Sequence, residues 1–128
     1  MNTFSQDLKD ITTRFDGERK AVKRLAALLK QAYASQRKGK PAPEYTFEHL
    51  VSELKPSSPE ALSYILALLV KNGEIRKVIR VESPRNRGGI GDFSSILDVP
   101  EKIHDTRTDQ EVRVTPGLLR VIYRLQHA

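Results

Sequence analysis

Phe4, Leu8, Ile11 and Phe15 recur at 4-3-4 spacing. Val22, Leu25, Leu29 and Tyr33 form a second stripe, with Ala21, Ala26 and Ala32 beside it. Residues spaced in this way share one face of a helix. The two stripes keep one heptad register, interrupted where Glu18 sits. That register fits one helix from about Phe4 to Gln36, or a coiled-coil seam. The Asp16-Gly17 pair favours two helices packed on the body, because it can stop the first and cap the second. The Phe4/Leu8 stripe also offers a seam to a second copy of the chain, so a dimer through the N-terminal helix is one expectation.

The segment Arg37 to Glu44, RKGKPAPE, reads as a linker, since Gly39, Pro41 and Pro43 forbid a helix. Thr46 is the expected N-cap of the next helix, with Tyr45 and Leu50 as a hydrophobic staple. Phe47, Leu50, Val51 and Leu54 face inward, and Pro56 ends the helix. Ser58 as N-cap and Pro59 at the first helical position start another. Leu62, Ile65, Leu66, Leu69 and Val70 form its broad apolar stripe, and Asn72-Gly73 supplies a left-handed stop.

Period two takes over at Ile75. Ile75, Ile79 and Val81 fall on one face, and Arg76, Arg80 and Glu82 on the other, which predicts a half-buried strand. Glu111 to Val114 is a second strand, with Val112 and Val114 inward. Thr115-Pro116-Gly117-Leu118 fits a type II turn, after which Leu119, Val121, Tyr123 and Leu125 alternate with Arg120, Ile122 and Arg124. This predicts a C-terminal strand closing a hairpin. A helix capped by Thr115 is the competing reading. The 27 residues from Pro84 to Gln110 read as an exceptionally long connection, flexible in PRNRGGIGDFSS and pinned to the body by Ile96, Val99 and Ile103.

A helix, a helix-turn-helix and a β-hairpin with an extended wing follow one another here, and the segment TFEHLVSELKPSSPEALSYILALLVKNGEIRKVIRVE carries the centre of that order. It resembles a winged helix-turn-helix domain over roughly residues 18–83 and 111–125. The expected fold class is therefore α+β: a winged helix domain over residues 18–128, an extra N-terminal helix over 1–17, and an unusually long wing. The resemblance implies two uses, DNA contact through the second motif helix and the wing, or protein docking. A fold alone does not choose between them.

Charge narrows the choice. The chain of 128 residues carries a net charge of +6. Residues 1–40 hold ten Lys/Arg against four acids, residues 41–75 two against five, and residues 76–128 ten against seven. A basic N-terminal helix and a basic C-terminal sheet attract polyanions. The second motif helix is a poor base reader, for its expected exposed face is Glu60, Ser63, Tyr64, Ala67 and Lys71. Nucleic-acid backbone contact is accordingly assigned to Lys20, Lys23, Arg24 and Lys30 on the basic helix and to Arg85 and Arg87 at the wing tip. Arg76, Arg80, Arg113, Arg120 and Arg124 are expected on one outer sheet face, with Glu82 and Glu111 neutralising part of it. The alternative is a protein-docking adaptor using Tyr64 and Leu68, or the N-terminal Phe4 and Leu8.

Catalysis finds no constellation. There is no cysteine, and His49, His104 and His127 are scattered without metal-ligand spacing. His104-Asp105 reads as a surface pair, and Gly88, Gly89 and Gly91 do not match a dinucleotide-binding loop. No enzyme activity, metal, cofactor or small-molecule substrate is expected. The apolar run Ala61 to Val70 is too short to span a bilayer, and MNTFSQDLKD lacks the order of a signal peptide, so a cytoplasmic protein is expected.

Overall fold

The computed structural model describes residues 4–85 and 88–127, apart from the side chains at positions 4, 5, 7 and 8. It is mixed α+β, with four helices, a four-stranded sheet in the order β1-β6-β2-β3 and a separate β4-β5 pair. The chain divides into two compact units: residues 1–76 with 123–128, and residues 77–122. Among the described residues no helix is long and apolar enough to cross a membrane.

The first unit contains α1 (Phe4–Arg14), α2 (Arg19–Arg37), β1 (Glu44–Thr46), α3 (Phe47–Leu54) and α4 (Pro59–Lys71). The N-terminal stripe thus resolves into two helices joined by a 3-10 turn at Asp16–Glu18. Asp16 does not cap α2. Its carboxylate takes Arg19 at 3.1 Å, and the N-cap position belongs to Glu18. Thr46 and Ser58 do cap α3 and α4, accepting the amides of His49 and Ala61. α3 stops at Lys55, whose φ of 50° is left-handed, one residue before Pro56. α4 ends in a left-handed Gly73, φ 76°, where Glu74 N donates to Leu69 O and Gly73 N to Val70 O. These paired bonds satisfy carbonyls that a helix end would otherwise orphan.

Leu25, Leu29, Leu50, Leu54, Leu66 and Leu69 are all buried in one cluster with Ile11 and Val22, as their spacing requires. Tyr123 and Leu125, from the end of β6 (Leu119–Arg124) and the residue after it, complete it. Leu125 N donates to Pro43 O at 3.0 Å, and Gln36 Nε2 donates to Leu125 O at 2.6 Å, so the C-terminal segment is tied to α2 and to the strand entering α3.

The second unit holds most of β2 (Arg76–Glu82), then β3 (Gly89–Phe93), β4 (Lys102–Asp105), β5 (Gln110–Arg113) and the start of β6. Here the sequence expectation needs correction. Pro84 to Gln110 is no loose loop, because β3 pairs antiparallel with β2 and β4 with β5. β5 therefore does not form the expected hairpin with the C-terminal strand. Ile96 does not pin the segment either, being exposed along with Leu97 on a 3-10 turn. Gly88 lies immediately before β3, and Gly89 and Gly91 lie within it. A Cβ at these positions would meet the Arg107 guanidinium, the Arg80 side chain and the Phe93 ring respectively.

Two further corrections follow from the strands. Val78 and Val81 are both buried although they lie on opposite faces of β2, as are Ile122 and Tyr123 in β6. A strand covered on both faces loses strict alternation. A bulge between Val81 and Glu82 adds a register shift. The Thr115–Leu118 turn keeps its closing bond, Leu118 N to Thr115 O at 3.0 Å, but Gly117 lacks the positive φ of a type II turn and the segment is 3-10.

Candidate nucleic-acid interface

α2 presents the basic stripe. Lys20, Lys23, Ala27, Lys30, Ala34 and Arg37 recur at 3-4-3-4-3 spacing, which puts them on one face, and the four cations are all exposed. At 1.5 Å per residue the stripe runs about 25 Å. Among the described residues, no ion pair engages Lys20, Lys23, Lys30 or Arg37. The alanines between the cations keep the face low, so a rod-like polyanion can lie close to it. A left-handed Gly39, φ 81°, ends the helix, with Lys40 N bonded to Ser35 O and Gly39 N to Gln36 O.

Arg24 differs from its neighbours. Its Nη1 donates to Leu54 O at 2.9 Å, capping the C-terminus of α3. A cation at a helix C-terminus also complements the dipole, so Arg24 fixes α2 against α3 as well as adding charge. Glu18 does the equivalent at the start of α2. It is 5% exposed, and its carboxylate accepts the Ser57 amide at 3.0 Å and the Ser57 hydroxyl. The break in the heptad register is the sequence signal for this residue. An acid standing where an apolar residue belongs is buried only with partners.

The other end of α2 carries a second buried acid. Tyr33 Oη donates to Glu74 O at 2.5 Å and lies 3.3 Å from Glu74 Oε2. His127 stacks on Tyr33 with ring centroids 4.0 Å apart, and its Nδ1 is 3.7 Å from Glu74 Oε2. Burial, then the Glu74 charge and the hydrogen bond to it, push the Tyr33 phenol well above its ordinary range. Nothing in the spacing of Tyr33, Glu74 and His127 along the chain announces this cluster.

On α4, Glu60, Ser63, Tyr64 and Lys71 are exposed as their periodicity predicts. Tyr64 is 66% exposed, whereas Leu68 is half-buried and packs against the core. Of the N-terminal docking residues, Phe4 and Leu8 belong to α1, and their side chains lie outside the described residues.

In the second unit Arg85 is exposed in the β2–β3 turn, which Ser83 N closes by donating to Gly88 O at 2.8 Å. Arg87 lies outside the described residues. The expected arginine face does not hold all five residues. Arg113 belongs to β5 in the other sheet. Arg80 forks onto Asp92, with Nε and Nη2 at 2.8 and 2.9 Å from its two oxygens. Arg120 lies 3.6 Å from Glu82, and in the first unit Arg124 lies 2.9 Å from Glu44. Glu82 neutralises as expected, while Glu111 stands opposite His104.

Asp105 is not a surface residue. It is 2% exposed, its Oδ1 accepts the Arg107 amide at 3.0 Å, and its Oδ2 has no partner of normal hydrogen-bond geometry. Burial opposes its charge, but the Arg107 amide, the Thr108 hydroxyl, the Arg107 guanidinium and the Ser83 hydroxyl outweigh that, holding the carboxyl below its usual value. His104 turns instead to Asp109, at 3.0 Å. Among the described residues no three His, Asp or Glu side chains converge as metal ligands do. Comparison with protein-family models, curated proteins and solved structures gives no match for this chain.

Proposed function

We propose that this chain is a non-enzymatic winged-helix module that holds nucleic-acid backbone with little sequence specificity. The stripe Lys20-Lys23-Lys30-Arg37 on α2, free of ion pairs among the described residues, is the observation that carries it. Such cations at regular intervals bind phosphates by releasing condensed counterions, and they do so irrespective of sequence. The winged-helix reading draws support from strand order, since β6, which closes the chain, lies between β1 and β2. The exposed face of α4 lacks the Arg, Asn and Gln that read base edges, which argues for backbone contact over direct readout.

Duplex DNA or RNA is expected to bind at about micromolar strength at low salt. Changing Lys20, Lys23 and Lys30 together to Gln should flatten the log–log salt slope by nearly three, at about 0.9 for each phosphate no longer neutralised. Binding with an unaltered slope would remove α2 from the interface, and no duplex binding at low salt would sink the reading. A protein-docking adaptor is the second reading, favoured by Tyr64 at 66% exposure. It requires a complex that survives salt and disappears in Tyr64→Ala.

A further inference from the structure

Within the second unit, an open pocket of about 350 Å³ lies among the β2–β3 turn, β5 and the turn that precedes β6. Arg85 and Arg113 both line it. Both are exposed, and among the described residues neither has an ion-pair partner, unlike Arg80, Arg107 and Arg120 of the same unit. We propose that this pocket binds one nucleotide unit, with its phosphate ester held by Arg85 and Arg113. The proposal rests on the nucleic-acid reading for its ligand class, and deepens it from duplex backbone to a single nucleotide or strand end.

The rest of the lining selects the ligand. Thr115 adds a hydroxyl donor beside the two guanidiniums, whose planar forks suit phosphate oxygens. Glu111 and Gln110 add acceptors. A carboxylate repels a bare inorganic anion, but it accepts from the hydroxyls and amines that a nucleotide carries away from its phosphate. Pro84, Val112 and Leu118 contribute apolar surface of the kind a base face covers. The pocket has the size of a small-molecule site and this mixed lining.

A larger pocket of about 430 Å³ in the first unit also holds cations, Arg14 and Lys71, beside Asp10. Those cations close the last turns of α1 and α4, where the helix dipole already calls for positive charge. No helix terminus accounts for Arg85 and Arg113.

Calorimetric titration of the full chain at low salt with adenosine monophosphate, inorganic phosphate, and 5′-phosphorylated and 5′-hydroxyl single-stranded oligonucleotides tests the proposal. The monophosphate should bind at least about tenfold more tightly than inorganic phosphate, as expected when a site pairs the whole ligand. Arg113→Ala, checked for folding by circular dichroism, should lose that binding, and Glu111→Gln should narrow the preference over inorganic phosphate. A 5′-phosphorylated oligonucleotide that binds more tightly than the free nucleotide assigns a strand end, and equal affinities assign the free nucleotide. Equal affinity for inorganic phosphate overturns the nucleotide assignment. Absence of all nucleotide binding while salt-sensitive duplex binding persists overturns the pocket and leaves the α2 reading standing.

Discussion

Glu18→Ala is the most informative single change to the fold. The carboxylate is 5% exposed and receives both the amide and the hydroxyl of Ser57, joining the start of α2 to the turn between α3 and α4. Hydrogen bonds to a charged group contribute about 1.5–3 kcal/mol each, and truncation also strands the Ser57 donors. We expect Glu18→Ala to cost about 3 kcal/mol, near the upper end for single substitutions. For a chain of this length that corresponds to a fall in Tm of about 10 °C. Glu18→Gln keeps an acceptor while removing the charge, and should cost about half as much.

Urea unfolding of Glu18→Ala, Ser57→Ala and the double variant isolates the pair. Ser57→Ala removes the hydroxyl but leaves the amide, so the cycle reports the hydroxyl–carboxylate bond alone, at about 1–2 kcal/mol of coupling. Strictly additive single variants would show that the two side chains do not meet. A Glu18→Ala protein melting with wild type would refute the burial of Glu18 altogether.

Leu66→Ala should cost about 3 kcal/mol in urea unfolding, because Leu66 is fully buried and its truncation leaves a cavity. Tyr33→Phe should change the alkaline limb of stability. Burial and Glu74 raise the native phenol above its ordinary 10.0, so this group's contribution holds below about pH 10 and falls as pH rises through the native value. Denaturation between pH 8 and about pH 11 should therefore show a shallower decline for Tyr33→Phe than for wild type. Asp105 works in the opposite sense, for its carboxyl lies below the ordinary 3.8 despite burial, held by Arg107, Thr108 and Ser83. Its contribution is present above that ordinary value and disappears as pH falls through the native one, so Asp105→Asn should be less stable at neutral pH and less sensitive to acid.

What the sequence discloses here is what local chemistry decides. The Thr46 and Ser58 caps, the Gly73 stop and the apolar stripes of α2 to α4 are all settled within a turn or two of the chain. The exposed face of α4 follows from the same periodicity. The segment from Pro84 to Gln110 misleads because its order comes from pairing at a distance. Arg80 selects Asp92 across a strand pair, and glycines that look like a flexible loop lie in β3 or just before it, where an added Cβ would meet Arg107, Arg80 or Phe93. Alternation fails in β2 and β6 for the related reason that both faces are covered. Glu18 is legible as an anomaly but not as a bonded pair, since nothing local points from it to Ser57.

Net charge alone is a poor guide to where unpaired cations lie. It suggests that the helix and the sheet are both basic, yet the sheet arginines Arg80, Arg120 and Arg124 each meet a carboxylate. Such pairs are worth little in stability where exposed, but they cancel the field a polyanion would feel. Arg19 and Arg107 are engaged in the same way, by Asp16 and Asp105, whereas Arg24 is bonded to the Leu54 carbonyl and keeps its charge. Once these are set aside, the cations that keep no ion-pair partner among the described residues include the α2 row and, in the second unit, Arg85 and Arg113 of the pocket as well as Lys77 and Lys102. The two places differ in form. A straight row of cations with alanines between them suits a long, featureless polyanion, whereas two guanidiniums beside a carboxylate and apolar surface suit a ligand with a phosphate at one end and a base at the other. The distribution of free charge, more than its total, therefore separates the ligand that suits α2 from the ligand that suits the pocket of the second unit.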